Sequence, residues 1–190
     1  AYWAGPGRAA LSGEWVWRPE HVANRHHVRG LLDDSRVLAL PAAQRDALLD
    51  AAQALPALLR GAPVWTLVHG DIHAGQVLWS RADGTPVLID YGQVHPSVPG
   101  EDLAHLLALR LDAGERARLG DDLRAVYADA LAQAGLPLSP AALRAQERAG
   151  LALNLLSTAR QTLRRKPAGA GGVAEALARA AQGWSNDTAT

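Results

Sequence analysis

Asp71 and Gln76 bracket a short glycine-containing loop, Val68-His69-Gly70-Asp71-Ile72-His73-Ala74-Gly75-Gln76-Val77-Leu78, and Asp90 follows the apolar run Val87-Leu88-Ile89 just before Tyr91-Gly92. A carboxylate can orient or deprotonate a hydroxyl, and a carboxylate with an amide oxygen can ligate a hard cation such as Mg²⁺. Glycines in such a loop let the backbone come close to a ligand. Carboxylates at strand ends, with an amide between them, therefore suit an oxygen-rich cation site beside phosphate groups, the equipment that phosphoryl transfer needs. His69 and His73 lie four apart, a spacing that binds zinc on a helix. Gly70, Gly75 and the β-favouring flanks argue against a helix there, and no Glu stands beside the first His, so zinc hydrolysis is the poorer reading.

The elements that must hold these groups change character along the chain. Ala1 to Arg18 is rich in Gly and Trp without a clear period, and Pro19 to Leu32, carrying His26-His27, reads as a helix with its proline in the first turn. Leu48, Leu49, Ala52, Leu55 and Leu59 recur at helical spacing between Pro41 and Leu59, with Pro56 able to break the run. Three short β-favouring runs follow: Val64 to Val68, Gln76 to Trp79 and Pro86 to Ile89. Arg81-Ala82-Asp83-Gly84 predicts a hairpin turn between the last two, because Asp-Gly readily supplies a positive φ. Asp83 is explained by that turn. Trp65 and Trp79, flanking the loop, offer faces on which a base or substrate could stack, but core packing is the favoured reading.

From Gly100 the helical period returns. Glu101 to Arg110 opens on two carboxylates, which complement a helix N-terminus. Glu115 to Gln133 and Pro140 to Arg165 are amphipathic helices, the second capped by Ser139. Lys166 to Gly172 reads as a loop, Val173 to Trp184 as a last helix, and residues 185–190 as a frayed tail. Asp121, Asp122, Asp129 and Glu147 read as solvated helix faces. The expected fold is α+β, mainly helical, with one small β patch in the middle that carries the chemistry.

The loop, the spaced Ile89-Asp90-Tyr91-Gly92 and the downstream Glu101-Asp102-Leu103-Ala104 together resemble the catalytic core of the aminoglycoside phosphotransferase and choline kinase-like family, with its H-G-D-x-x-x-x-N loop and I-D-[FWY]-G motif. The resemblance proper covers about Leu67 to Leu107. It implies that Asp71 is the catalytic aspartate, that Asp90 is the principal Mg²⁺ ligand, and that Gln76 stands where most members have an Asn as second metal contact. It implies further that Asp102 braces the catalytic loop, that His69 holds the loop structurally, and that His73 is a loop residue or a substrate-side contact. Gln76 departs from the usual pattern. The string H-G-D-x-H-x-G-Q-V-L is similar to the loop of maltokinase-type members, where Gln also occurs, so the departure reads as a subfamily feature. The implied activity is transfer of a phosphoryl group from ATP or GTP to a hydroxyl of a small molecule such as an aminoglycoside, sugar or amino alcohol. A non-catalytic nucleotide- or ligand-binding module of the same fold is the competing reading.

Composition bounds the remaining options. The chain has 190 residues, 48% of them apolar, and Lys plus Arg balance Asp plus Glu at 19 each. That balance signals neither a nucleic-acid nor a membrane partner, and no apolar run nears the ~20 residues that span a bilayer. Without cysteine there are no disulfides or thiolate metal sites, and the default location is the cytoplasm. The chain has no Met, and its single lysine is Lys166. A kinase-like enzyme also needs an N-terminal β-lobe whose strand lysine grips nucleotide phosphates. The expectation is therefore that residues 1–190 form only the C-terminal lobe, with core motifs at 67–107 and helical parts at 1–60 and 108–184. The missing N-terminal lobe would come from the same gene product or a second chain, and the isolated segment would be inactive.

Overall fold

The computed structural model describes Gly30, Leu31 and residues 33–62, 66–164 and 171–188. The expected helix from Pro19 to Leu32, with His26-His27, lies outside them apart from Gly30 and Leu31, as does Trp65. After a 3₁₀ turn at Ser35–Ala39, helix α1 runs Ala42–Gly61. Strand β1 (Thr66–Val68), a 3₁₀ turn (Ala74–Gln76), β2 (Val77–Trp79), β3 (Pro86–Leu88), a 3₁₀ turn (Tyr91–Gln93) and β4 (His95–Ser97) make up the β patch. Then come α2 (Gly100–Ala104), a π-helical segment (His105–Arg110), α3 (Ala113–Gln133), α4 (Pro140–Arg164) and α5 (Gly171–Thr188). The fold is α+β and mainly helical.

Helix ends follow local chemistry. Asp112 and Glu115 close α3 with a reciprocal capping box, and Ser139 Oγ accepts from Ala142 N at the start of α4. Pro56 does not break α1: it lies on the exposed face, while Leu55 and Leu59 stay in the core. The core is built where Leu48, Leu55 and Leu59 of α1 meet Leu153, Leu155 and Leu156 of α4 and Leu177 of α5, all essentially buried. Each contributes roughly 1.5–3 kcal/mol by leaving water. A second cluster, Leu103, Leu107, Leu131 and Leu143, ties α2 and the π segment to α3 and α4. Two glycines permit the closest crossing: a Cβ on Gly100 would fall 2.1 Å from the Gln146 carbonyl, and one on Gly150 2.4 Å from the Gly100 oxygen.

Two antiparallel pairs replace the three runs read from sequence. β2 pairs with β3 from Val77↔Leu88 to Trp79↔Pro86, with Gly84 at φ 70° in the expected turn. β1 pairs with β4 from Thr66↔Ser97 to Val68↔His95. Strand β4 was not read from the sequence, because His-Pro-Ser has no β-favouring residue.

Four further expectations need correction. Trp79 is 67% exposed, since β2 and β3 form a two-stranded hairpin and no sheet or helix among the described residues covers that face. The single helix expected over Glu101 to Arg110 changes at His105 into a π segment. The tail does not fray at Ser185: the helix continues to Thr188 because Trp184 is buried, donates from Nε1 to Asp50 Oδ2 at 2.8 Å and lies under the Arg148 guanidinium. Glu147 is not a solvated face, for both its oxygens take 2.7 Å hydrogen bonds from Arg124 and its side chain is largely buried. No helix among the described residues is long and apolar enough to cross a membrane.

Candidate active site

β1 delivers the chain to His69 and Gly70, whose backbone N–H groups both donate to one carboxylate. His69 N reaches Asp102 Oδ2 at 2.7 Å and Gly70 N reaches Asp102 Oδ1 at 2.9 Å. Gly70 sits at φ 81°, and a Cβ there would lie 2.6 Å from the Gln93 oxygen, so this turn admits only glycine. The His69 ring spans to the end of β3: its Nε2 lies 2.9 Å from the Ile89 carbonyl and must donate, because a carbonyl only accepts. Tyr91 packs beside the same ring at 5.2 Å. Burial raises the Asp102 carboxyl above its ordinary value, against the two N–H donors that lower it.

The neighbouring Glu101 fastens the other side. Its carboxylate is buried, accepts from Ser97 Oγ and faces His95 Nε2 at 3.1 Å, so two successive carboxylates at the start of α2 clamp β4 and the β1 loop together. The helix-dipole reading of Glu101 from sequence was too weak, because Ser97 and His95 offer no recognisable pattern in the chain.

Asp71 follows this clamp, with its side chain about 40% exposed. Arg110 Nη2 donates to its Oδ1 at 2.8 Å, and His105 Nε2 lies 3.4 Å from the same oxygen. The Asp71 carboxyl is held below its ordinary value, most by His105 and less by Arg110 and His73, with partial burial opposing. The direct donor to this carboxylate is Arg110, 2.8 Å from Oδ1. Oδ2 makes no hydrogen bond among the described residues. His73 caps the 3₁₀ turn that follows, its Nδ1 accepting from Gly75 N at 3.1 Å.

That turn ends at Gln76, whose side chain is buried and whose backbone oxygen accepts from Ile89 N at 2.9 Å, tying the loop to the end of β3. Gln76 Nε2 comes within 3.5 Å of Asp90 Oδ2, and its Oε1 is buried without a hydrogen-bond partner among the described residues. Asp90 is exposed and, at φ 63°, is the only non-glycine described residue in the left-handed region, which Asp tolerates better than most. The Gln76 amide presents its nitrogen to the exposed Asp90 carboxylate; with the amide turned over, the pair would offer Mg²⁺ the one or two protein oxygens it takes, the rest of its shell coming from phosphates and water. Among the described residues no three His, Asp or Glu side chains group as a metal cage. With His69 on the Ile89 carbonyl and His73 on Gly75 N, the two histidines form no zinc pair.

The structure thus places His69, Asp71, Gln76, Asp90 and Asp102 around one hydrogen-bonded loop, with His73 at its rim. Sequence reasoning missed His105, Arg110 and Asn154, which meet Asp71 or support the groups that do. Their one signal was the five-residue spacing of His105 and Arg110, which fits no α-helical face.

The profile of APH, the phosphotransferase enzyme family, matches residues 8–138. The chain belongs to the phosphotransferase enzyme family. No curated protein matches it.

Proposed function

We propose that this chain carries the catalytic loop and metal-binding face of an ATP- or GTP-dependent kinase that phosphorylates a hydroxyl of a small molecule. The observation that carries the reading is Asp71 itself: one carboxylate oxygen held by Arg110, the other without a hydrogen bond among the described residues, on a loop pinned by Asp102. Asp71 Oδ2 would accept the proton of the acceptor hydroxyl as the hydroxyl oxygen bonds to the γ-phosphorus and the bond from γ-phosphorus to the β-phosphate oxygen breaks, the electron pair leaving with the diphosphate. Asp90 and Gln76 Oε1 would hold Mg²⁺. When bound, the cation neutralises charge on the phosphates. Most of the acceleration would come from positioning and preorganised charge.

A kinase-like C-terminal lobe needs a second element to cover the nucleotide and grip its phosphates. The only lysine is Lys166, which follows the catalytic loop by some ninety residues rather than preceding it, so in this reading the gripping lysine comes from sequence or a chain beyond these residues. The exposed apolar side chains of the hairpin, Leu78, Trp79 and Val87, support a covering partner or nucleotide on that side. The 190-residue chain alone should then turn over negligibly.

The test is a screen of sugars, aminoglycosides, choline and amino alcohols with the full-length protein and radiolabelled nucleotide. Asp71→Ala should lower kcat about 10²–10⁴-fold with nucleotide affinity retained. Asp90→Ala should instead weaken Mg–nucleotide binding. Near-normal activity in both variants would sink the assignment. One observation favours the non-catalytic reading: the Gln76 amide turns its nitrogen, not its oxygen, toward Asp90. Mg²⁺-independent nucleotide binding without turnover on any acceptor would establish that alternative.

A further inference from the structure

The π segment presents to Asp71 a pair of side chains that an α-helix would separate. Residues five apart on an α-helix diverge by about 140°. In a π turn, with i→i+5 hydrogen bonds, the looser winding brings them nearer to one face, and such turns gather at functional sites. His105 and Arg110 are such a pair, and Arg110 Nε donates to His105 Nε2 at 3.1 Å. The same guanidinium reaches Asp71 through Nη2.

The protons in this arrangement are fixed from the far end. Asn154, buried in α4, donates through Nδ2 to the carbonyls of Glu101 and Gly150, both at 2.9 Å. Carbonyls only accept, so the amide has one orientation, and its Oδ1 faces His105 Nδ1 at 2.8 Å. Nδ1 must therefore carry the proton. Nε2 is left as an acceptor, which is what the Arg110 Nε–H requires. Arg110 is then held through Nε while the neighbouring Nη2 of its planar fork meets Asp71 Oδ1.

We infer that Asn154, His105 and Arg110 form a tautomer-locked positioning chain, which fixes Asp71 through Oδ1 and turns Oδ2 to the acceptor hydroxyl. It rests on the reading of Asp71 as the catalytic base. All three are positioning residues, acting through Asp71. The chain runs from the helical core at Asn154 to the reacting carboxylate, so helix packing sets the direction in which the base points.

The test combines kinetics with a measurement that needs no turnover. In the full-length enzyme Arg110→Met and His105→Phe should each lower kcat about 10- to 100-fold, with the nucleotide KM changed by no more than about twofold. Because they act in series, the double variant should be no slower than Arg110→Met alone, whereas independent structural effects would multiply. Arg110→Lys, which keeps a donor for Asp71, should recover part of the rate. Imidazole ¹⁵N shifts should report His105 protonated at Nδ1 only. His105 is buried, and if His105→Phe does not fold, the Arg110 variants and the ¹⁵N shifts decide. Multiplying losses, full kcat in Arg110→Met, or a proton on Nε2 would overturn the chain. Should Asp71→Ala keep its turnover, the assignment of the base fails instead, and the ¹⁵N shifts still judge the relay.

Discussion

The β hairpin with its candidate loop and the helical core are held together by opposite means. In the core, leucines of α1, α4 and α5 are excluded from water, and the fit is set by shape. In the hairpin, Leu78, Trp79, Val87 and Tyr91 remain exposed, and the loop takes its form from hydrogen bonds to buried or half-buried carboxylates. Burial is non-directional, whereas hydrogen bonds fix atoms in place. The region that must place an oxygen within a few tenths of an ångström uses the directional force, and it is anchored on the region that uses the other. The anchor is α2, which crosses α4 at Gly100 and Gly150 and carries Glu101 and Asp102.

That junction is where the contrast can be broken most severely. Gly150→Ala places a methyl 2.4 Å from the Gly100 oxygen and 2.5 Å from the Glu101 backbone, so the helices must part. The expected loss is about 3 kcal/mol, the upper range for overpacking, or a fall in Tm of about 6–12 °C for a chain of this size. Differential scanning calorimetry measures it. Turnover should fall as well, since Glu101 and Asp102 move with α2. Wild-type stability in this variant would mean that the crossing is loose and the hairpin is anchored elsewhere.

The two regions also differed in how far they could be read from the chain. The core helices were legible because Leu48, Leu55 and Leu59 repeat at helical spacing and Ser139-Pro140 marks a start. Helical periodicity survives any detail of tertiary packing. The catalytic loop was legible for another reason: Asp71, Gln76 and Asp90 stand at a spacing shared with a known family. What joins the regions was not legible. The contact of Asn154 with His105 links residues 49 apart, and nothing in the chain around either announces the other. Trp79 misled because a large aromatic next to a strand usually finds a core, while a two-stranded hairpin has a face with nothing packed on it. Trp184 misled in reverse, since the polar residues after it hid how firmly Asp50 and Arg148 hold the last turn.

A milder cut falls on the brace alone. Asp102→Ala leaves the N–H groups of His69 and Gly70 without their acceptor, a loss of about 2 kcal/mol given that the site is partly buried. Turnover should fall further than that loss of stability suggests, about 10- to 100-fold, because Asp71 is the next residue along the loosened backbone. The pH dependence sharpens the point. Asp102 titrates above its ordinary 3.8 in the folded protein, so its contribution to stability declines as pH rises from 3.8 through the folded value. Asp71 titrates below 3.8, so its contribution is present above that pH and is lost as pH falls through the folded value. Removing Asp102 should therefore lessen the decline on the alkaline side of 3.8, whereas Asp71→Ala should lessen the loss on the acid side. Urea midpoints across the acid range test both signs, and identical profiles would contradict the environments assigned to the two carboxylates.

The smallest expected effect lies at the hairpin tip. Trp79 is 67% exposed, and the strands around it are closed by hydrogen bonds of Ser80 N to the Thr85 oxygen and Gly84 N to the Ser80 oxygen, each 2.9 Å. Replacing an exposed side chain that leaves those bonds intact changes stability by no more than about 0.5 kcal/mol. Trp79→Ser should accordingly leave the urea midpoint of the isolated chain nearly unchanged. If a nucleotide or covering lobe rests on this face, the same variant should weaken nucleotide binding by the full-length protein while its stability holds. A large loss of stability in the isolated chain would show that Trp79 is packed, and the hairpin would then be a second core rather than a platform fixed by hydrogen bonds.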